Sequence, residues 1–477
     1  MLQKMDSKDH FLGREYEIAK LSEIAARREA SIVVVHGRRR VGKTSLVHHV
    51  FGKRNLIKLE GIEGESRTYQ IHSFLQQLAH HFKEPLLQRM QFKTWREPLM
   101  ELAERTSKGP CTIFLEELQW LAHYENDLIS ELKFVWDNYL QHNKDLILIL
   151  CGSSPSFMIS NVLRSKALYN RSLSEVVLEP FSLKETRMFL GPKFNSAAAL
   201  EAYLMVGGIP EYLKYLKQDS SVYLSFCKNA FLPGAFFSGE PERLFVSTLA
   251  KSLHYTKIVE FIGKQGVTSR EQILKKLKIS SGSNVTRLLS DLELSSIIST
   301  LTSFNSAVKS KLIRYEIADP YLRLYYRYIA SRVKEINAGA FKSNSSAPLS
   351  LRDLSQALGY AFEHYCRQNA HLIAKALGFS AVEYKAGPLL SRELQGGVQL
   401  DLVFSRKDKV VTVCEIKYLS GPVELKQVKD FRQRLARLTL TSTQRLETVL
   451  IAPLGAQESV RASGLFDRIL DLEGLQV

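Results

Sequence analysis

Apolar positions along the chain keep two rhythms. Short apolar runs at Ile32 to Val35, Cys111 to Leu115, Leu146 to Cys151 and Val176 to Leu178 read as strands of a parallel sheet, the first buried on both faces, and Leu56 to Leu59 reads as a further short strand. Between them the spacing widens to three and four. Ile18, Leu21 and Ile24 within Phe11 to Ala26, then Ser45 to Val50, Ile71 to Phe82 and Trp95 to Arg105, predict helices. This alternation specifies a doubly wound parallel α/β domain over residues 1–185. Helical spacing alone follows from Lys184 to about Ala250, broken at Gly207-Gly208-Ile209-Pro210, where two glycines before a proline force a bend. Residues 186–250 therefore read as a helical lid.

Tyr255 to Ile317 reads as three helices and a hairpin, a winged helix-turn-helix pattern that with the next helix fills residues 251–337. The helix from about Ser283 is the reader and Lys309 to Arg314 part of the wing. Asp319 to Ile329, DPYLRLYYRYI, repeats aromatics at helical spacing; core packing is one reading, a base-stacking ladder the other. Small, polar and proline-containing residues 338–350 read as a linker. Residues 351–477 open with a helix at Leu358 to Ala370 and continue with alternating strands at Val398 to Phe404 and Val410 to Tyr418, joined by a turn.

The first strand runs into a loop with glycines at Gly37 and Gly42 followed by Lys43 and Thr44, the spacing G-x-x-x-x-G-K-T. Glycines let the backbone bend so that successive N–H groups and a helix N-terminus face a polyanion. Lys43 places its charge on the outer phosphates, Thr44 ligates Mg²⁺, and Arg38, Arg39, Arg40, Val41 and Ser45 complete the loop. Three consecutive arginines exceed what one triphosphate needs, so some face a partner or DNA. A helix just before the first strand covers the nucleotide base, with Arg14 at its start. The Cys111 strand ends in Glu116-Glu117; such a pair holds Mg²⁺ through the first carboxylate and polarises the attacking water with the second. Ser153, after the Leu146 strand, offers a hydroxyl to the γ-phosphate, and Arg171 reaches phosphate in cis or a neighbour in trans, or is a plain surface arginine.

FLGRE, GRRRVGKTSL, the acid-ended strand with Gln119-Trp120, CGSS, GGIPEYL and DPYLRLYYRYI, in this order, resemble the archaeal-type P-loop ATPases, which are similar to signal-transduction and origin-recognition ATPases. The resemblance implies ATP binding with switch-like hydrolysis, and assigns Lys43 and Thr44 to phosphate and Mg²⁺, Glu116 to the metal and Glu117 to water. The family usually has aspartate where Glu116 stands; the extra methylene predicts a shifted metal shell or slow turnover.

Composition changes the picture in two ways. With 45% hydrophobic and 24% charged residues the chain has globular balance, and no apolar run approaches a membrane span. The N-terminus lacks an apolar signal core, and five cysteines without a C-x-x-C pair suggest reduced thiols in a cytoplasm. Net charge is +16 and the pI near 9.4, which favours a polyanionic partner, DNA before other nucleic acids. Lys251 to Ser345 holds sixteen basic and seven acidic residues. There Lys275, Lys276, Lys278 and Arg287 seek phosphate while Ser283, Asn284 and Thr286 touch base edges; the alternative is a domain that only packs on the nucleotide domain. A homo-oligomer or protein partner fits the same parts.

In the C-terminal part, antiparallel pairing about an odd turn puts Asp401 opposite Glu415, about 5 Å apart, with Lys417 on the same face. Val411 and Val413 share that face, so the acid lies on apolar ground and needs a partner. Two carboxylates and a lysine form a Mg²⁺ site with a cation beside the attacking water. This arrangement resembles the PD-(D/E)xK nucleases, whose restriction-endonuclease-like α/β fold supplies an acid from the first helix, then D and E-x-K. Those roles fall on Glu363, Asp401, Glu415 and Lys417, with Lys426 and Gln427 as auxiliary contacts and Leu400 replacing the usual proline. The expectation is an ATP-gated nucleic-acid enzyme with Mg²⁺-dependent cleavage; the alternative is a non-cleaving, ATP-dependent switch that binds DNA or a protein.

Overall fold

The computed structural model describes residues 11–165, 168, 173–249, 253–278, 282–304, 313–390, 398–436, 438 and 440–475. They divide into two compact units, residues 1–181 with 242–252, and residues 182–241 with 253–477. Among the described residues no helix is long and apolar enough to cross a membrane, and all five cysteines are buried and unpaired.

In the first unit five strands, β1 (Ser31–His36), β2 (Asn55–Glu60), β3 (Cys111–Glu116), β4 (Leu146–Gly152) and β5 (Leu173–Val177), form one parallel sheet in the order β2-β3-β4-β1-β5. Every position of β1, β3 and β4 is buried, as the unbroken apolar runs predict for strands with helices on both faces. Phe74 and Trp95 meet edge to face at 5.5 Å in this core. β1 leaves the sheet beside β4 and β5, and its C-terminal end is where ligands bind in open α/β sheets.

In the second unit, helices Leu183–Leu190, Ser196–Val206 and Pro210–Leu216 follow one another. Gly207 makes the bend with φ of 70°, and Pro210 starts the next helix. Tyr212 of GGIPEYL lies 5.4 Å, centroid to centroid, from Tyr321 of DPYLRLYY; Tyr212 donates to Glu240 and Tyr321 to the Phe237 carbonyl, at 2.9 and 2.6 Å. With Tyr321, Tyr326 and Tyr328 buried, the aromatic helix is core, and no base ladder stands exposed along it.

Helices Leu253–Gln265, Arg270–Leu277 and Ser283–Leu294 then pack with β6 (Thr268–Ser269), β7 (Ile298–Leu301) and β8 (Arg314–Ile317), an antiparallel sheet in the order β6-β8-β7. Of the expected wing, Lys309 lies outside the described residues. Residues 338–350 do not hang free. Leu349 is fully buried, and the Tyr223 hydroxyl donates to its carbonyl at 2.7 Å.

Beyond the helix Leu351–Gln368, β9 (Tyr384–Leu390), β10 (Val398–Arg406), β11 (Val410–Ile416), β12 (Arg445–Ile451) and β13 (Arg468–Leu470) form a mixed sheet, β13-β12-β11-β10-β9. β9, β10 and β11 are antiparallel neighbours, and β12 and β13 add on in parallel. The edge at β9 is covered: Phe304 donates its N–H to the Pro388 carbonyl at 3.0 Å.

Candidate functional site

β1 delivers the glycine-framed loop and the helix Lys43–Phe51 carries the chain away from it. Gly37 and Gly42 have φ of 145° and 98°, and a Cβ on Gly37 would stand 2.3 Å from the Leu178 carbonyl oxygen. Only glycine allows that approach. The buried Lys43 ammonium donates to the carbonyls of Gly37 and Arg38 at 3.0 and 2.9 Å, so it is held across the loop mouth. The Arg14 guanidinium donates to the Val41 carbonyl at 3.4 Å and lies over the Phe181 ring. Arg38 is buried, Arg39 donates to the Arg243 carbonyl at 2.8 Å, Arg40 has a positive φ and Ser45 is exposed. Arg171 lies outside the described residues.

Thr44 and Glu116 meet directly, the hydroxyl donating to Oε1. A hydroxyl and a carboxylate at this point fit a hard cation that takes oxygen ligands. The other carboxylate oxygen of Glu116 faces the Lys58 ammonium at 2.6 Å, and Lys58 also pairs with Glu60 at 2.9 Å. Burial works against the Lys58 charge, but the two carboxylates outweigh it and raise its pKa. The sequence reading missed Lys58 because a lysine on an edge strand looks like a solvated charge.

Glu117 turns out of β3 with φ of 51°, and its carboxylate accepts from Ser153 at 2.6 Å and from Gln119 at 2.7 Å. Gln119 and Ser153 are fully buried and bonded to each other at 3.1 Å. The arrangement fixes one oxygen of Glu117, which suits a group that orients a water.

Residues 11–216 match the family model of an ATPase domain predominantly from Archaea. This stretch is similar to the P-loop ATPase domains of that family. The chain is also similar to an uncharacterised protein of Methanocaldococcus jannaschii, 27% identical over 416 residues that cover 86% of this chain and 87% of the relative. Among solved structures it is similar to a Walker-type ATPase of Pyrococcus abyssi (21% identity, 66% of this chain and 96% of that one, TM-score 0.47). A second is the ORC2 protein of Aeropyrum pernix in ADPNP and ADP complexes (13% identity, 71% and 98%, TM-score 0.45).

Outside residues 11–216 a second set of charged side chains converges. β10 and β11 pair Leu402 with Cys414, which sets Asp401 across from Glu415. Asp401 accepts the Ile416 N–H at 2.9 Å. Glu415 is fully buried; its Oε1 takes both Lys417, at 2.6 Å, and Arg434, while Oε2 has no hydrogen-bond partner among the described residues. Glu363, on the helix Leu351–Gln368, lies 3.7 Å from Arg367. Burial, then the Asp401 carboxylate, push Glu363 up to about 7; burial, then Glu415, push Asp401 up to about 6. Arg367 also faces Glu316 of β8 at 3.5 Å, and His364 bonds the same carboxylate at 2.9 Å.

The expected auxiliary pair does something local: Lys426 is exposed and paired with Glu424, and Gln427 accepts the Glu424 N–H. Arg434, which the sequence reading passed over, is the helix residue at the site. Among the described residues no three or more His, Cys, Asp or Glu side chains gather as a metal-holding group.

Proposed function

We propose that the chain is a slowly hydrolysing P-loop ATPase whose nucleotide state gates nucleic-acid binding and Mg²⁺-dependent phosphodiester cleavage by residues 351–477. The observation that carries the reading is that Asp401 and Glu415 hold facing positions of β10 and β11 while Lys417, just past the end of β11, pairs with Glu415, in a chain whose ATPase domain joins Thr44 to Glu116. In this reading Asp401 and Glu415 hold the cation, Lys417 stands beside the attacking water, and Glu363 is a further acid. The buried Oε2 of Glu415, without a hydrogen-bond partner among the described residues, fits a cation ligand. Lys43, Thr44 and the loop amides hold ATP, Glu116 its Mg²⁺, and Glu117 the water.

Residues 251–337 serve as a winged helix that binds DNA before RNA. Exposed Lys275, Lys276, Lys278 and Arg287 support this. Asn284 is exposed and bonded to Arg287 at 3.4 Å, while Thr286 accepts from Arg270 at 2.9 Å, so base readout rests on regrouping these side chains. We place the work in the cytoplasm, in line with five buried thiols, with a second copy or a protein partner near the half-exposed Arg39 and Arg40.

One observation favours a second reading, a switch that binds without cleaving. Two cations share one oxygen of Glu415, which leaves its carboxylate little net charge to offer a metal. Incubation with supercoiled, linear and single-stranded DNA and with RNA, with Mg²⁺ or Mn²⁺ and with or without ATP, separates the two. Cleavage that disappears in Asp401→Ala supports the nuclease. Intact substrates in every combination, with Asp401→Ala binding DNA as wild type does, leave the switch.

A further inference from the structure

We infer that Lys58 is a positioning residue of the nucleotide site, one that competes with the divalent cation for Glu116. The inference rests on the P-loop ATPase reading and adds a residue that the loop motif does not contain. Glu116 stands where the family resemblance expects aspartate, and its longer side chain serves two partners at once. One oxygen takes the Thr44 hydroxyl, and the other faces the Lys58 ammonium at 2.6 Å. Strand register explains the meeting: β2 and β3 run parallel with Glu60 beside Glu116 and Lys58 beside Phe114, so Lys58 and Glu116 are diagonal neighbours on adjacent strands.

Glu116 is 9% exposed and Lys58 33%, so the pair is screened by water on the lysine side only. An ammonium and Mg²⁺ repel, and each neutralises part of the same carboxylate. Binding of either therefore weakens the other, reciprocally. Lys58 is not stranded when the cation arrives, because Glu60 remains as its partner at 2.9 Å. The triad Glu60, Lys58, Glu116 thus holds the longer acid toward β2 until Mg²⁺ enters with ATP, and the exchange leaves every charge paired.

The test uses the full chain and a fluorescent ATP analogue, first in EDTA and then across a Mg²⁺ titration, with Mn²⁺ paramagnetic resonance on the same samples. In Lys58→Met the Mg²⁺ concentration for half-saturation falls by roughly three- to tenfold while nucleotide affinity in EDTA stays within about twofold. Lys58→Arg stays near wild type. Glu60→Gln shifts the Mg²⁺ requirement the other way, since Lys58 then has Glu116 alone, and it keeps the test decisive if Lys58→Met folds poorly. An unchanged Mg²⁺ requirement in both variants, with nucleotide still bound in EDTA, overturns the inference and leaves the ATPase reading standing. A wild-type chain that binds no nucleotide overturns both.

Discussion

At the level of single residues, the nucleotide loop is decided by steric limits that the sequence states openly. Gly37→Ala puts a methyl 2.3 Å from a carbonyl oxygen at a φ that L residues avoid, a strain of about 1–3 kcal/mol or a displaced loop. The expected result is a lower melting temperature together with lost nucleotide binding; wild-type affinity would show that the loop does not need this backbone. Lys43→Ala should abolish measurable ATP binding, and unchanged affinity would sink the site assignment. Ser153→Ala removes one of two donors that fix Glu117, so kcat for ATP should fall by roughly tenfold with KM little changed; a KM effect alone would make Ser153 a binding group. The residues that sequence reading missed share a cause. Lys58 and Arg434 look like solvent-facing charges in their own elements, and only packing against β3 and β11 brings them to Glu116 and Glu415.

Among elements, what was legible follows from period and length. β1, β3 and β4 stand out because their interiors are apolar runs and every position is buried, and the β10–β11 register follows from antiparallel pairing about an odd-length turn, which pairs Asp401 with Glu415. β9 and the short β13 carry no such rhythm, and β12 opens on polar Arg445 and Glu447, so the outer strands were not read. The linker reading of residues 338–350 rested on composition, and composition does not reveal that Leu349 finds a buried seat. Nor does it reveal that β8 meets the helix Leu351–Gln368 through Glu316, His364, Arg367 and Arg323.

That buried cluster makes a pH prediction. Burial, then Arg323, push the His364 imidazole down to about 4, against the pull of Glu316. Burial opposes ionisation of Glu316, but His364, then Arg367 and Arg323, bring it down to about 2. An unfolded histidine takes its proton near 6.5, so the unfolded chain binds more protons between about 6.5 and 4. Stability from this site is therefore complete above about pH 6.5 and drains as pH falls toward 4, by on the order of 3 kcal/mol at most. Melting of the wild type should drop between pH 7 and pH 5, and His364→Gln should flatten the profile. Parallel profiles would remove His364 as the cause.

Across the whole molecule, charge decides which partners are attracted. A net +16 is unevenly held, and of the sixteen basic residues between Lys251 and Ser345 several are already engaged: Arg323 donates to the Ile317 carbonyl at 2.7 Å and Arg270 to Thr286. Lys275, Lys276, Lys278 and Arg287 remain exposed on and between two helices of the proposed winged helix. Binding through four to six such groups releases condensed counterions from DNA, so affinity should fall by roughly a hundred- to a thousandfold between 50 and 200 mM salt, linearly on logarithmic axes. Fluorescence anisotropy with labelled duplex measures the slope. Lys275→Glu with Lys276→Glu should make it shallower by about two charges, with ATP binding unchanged, because both residues lie outside the nucleotide site. A slope that this double variant leaves alone would move the DNA contact off these helices, and binding indifferent to salt would show that the positive charge serves something other than a nucleic-acid backbone.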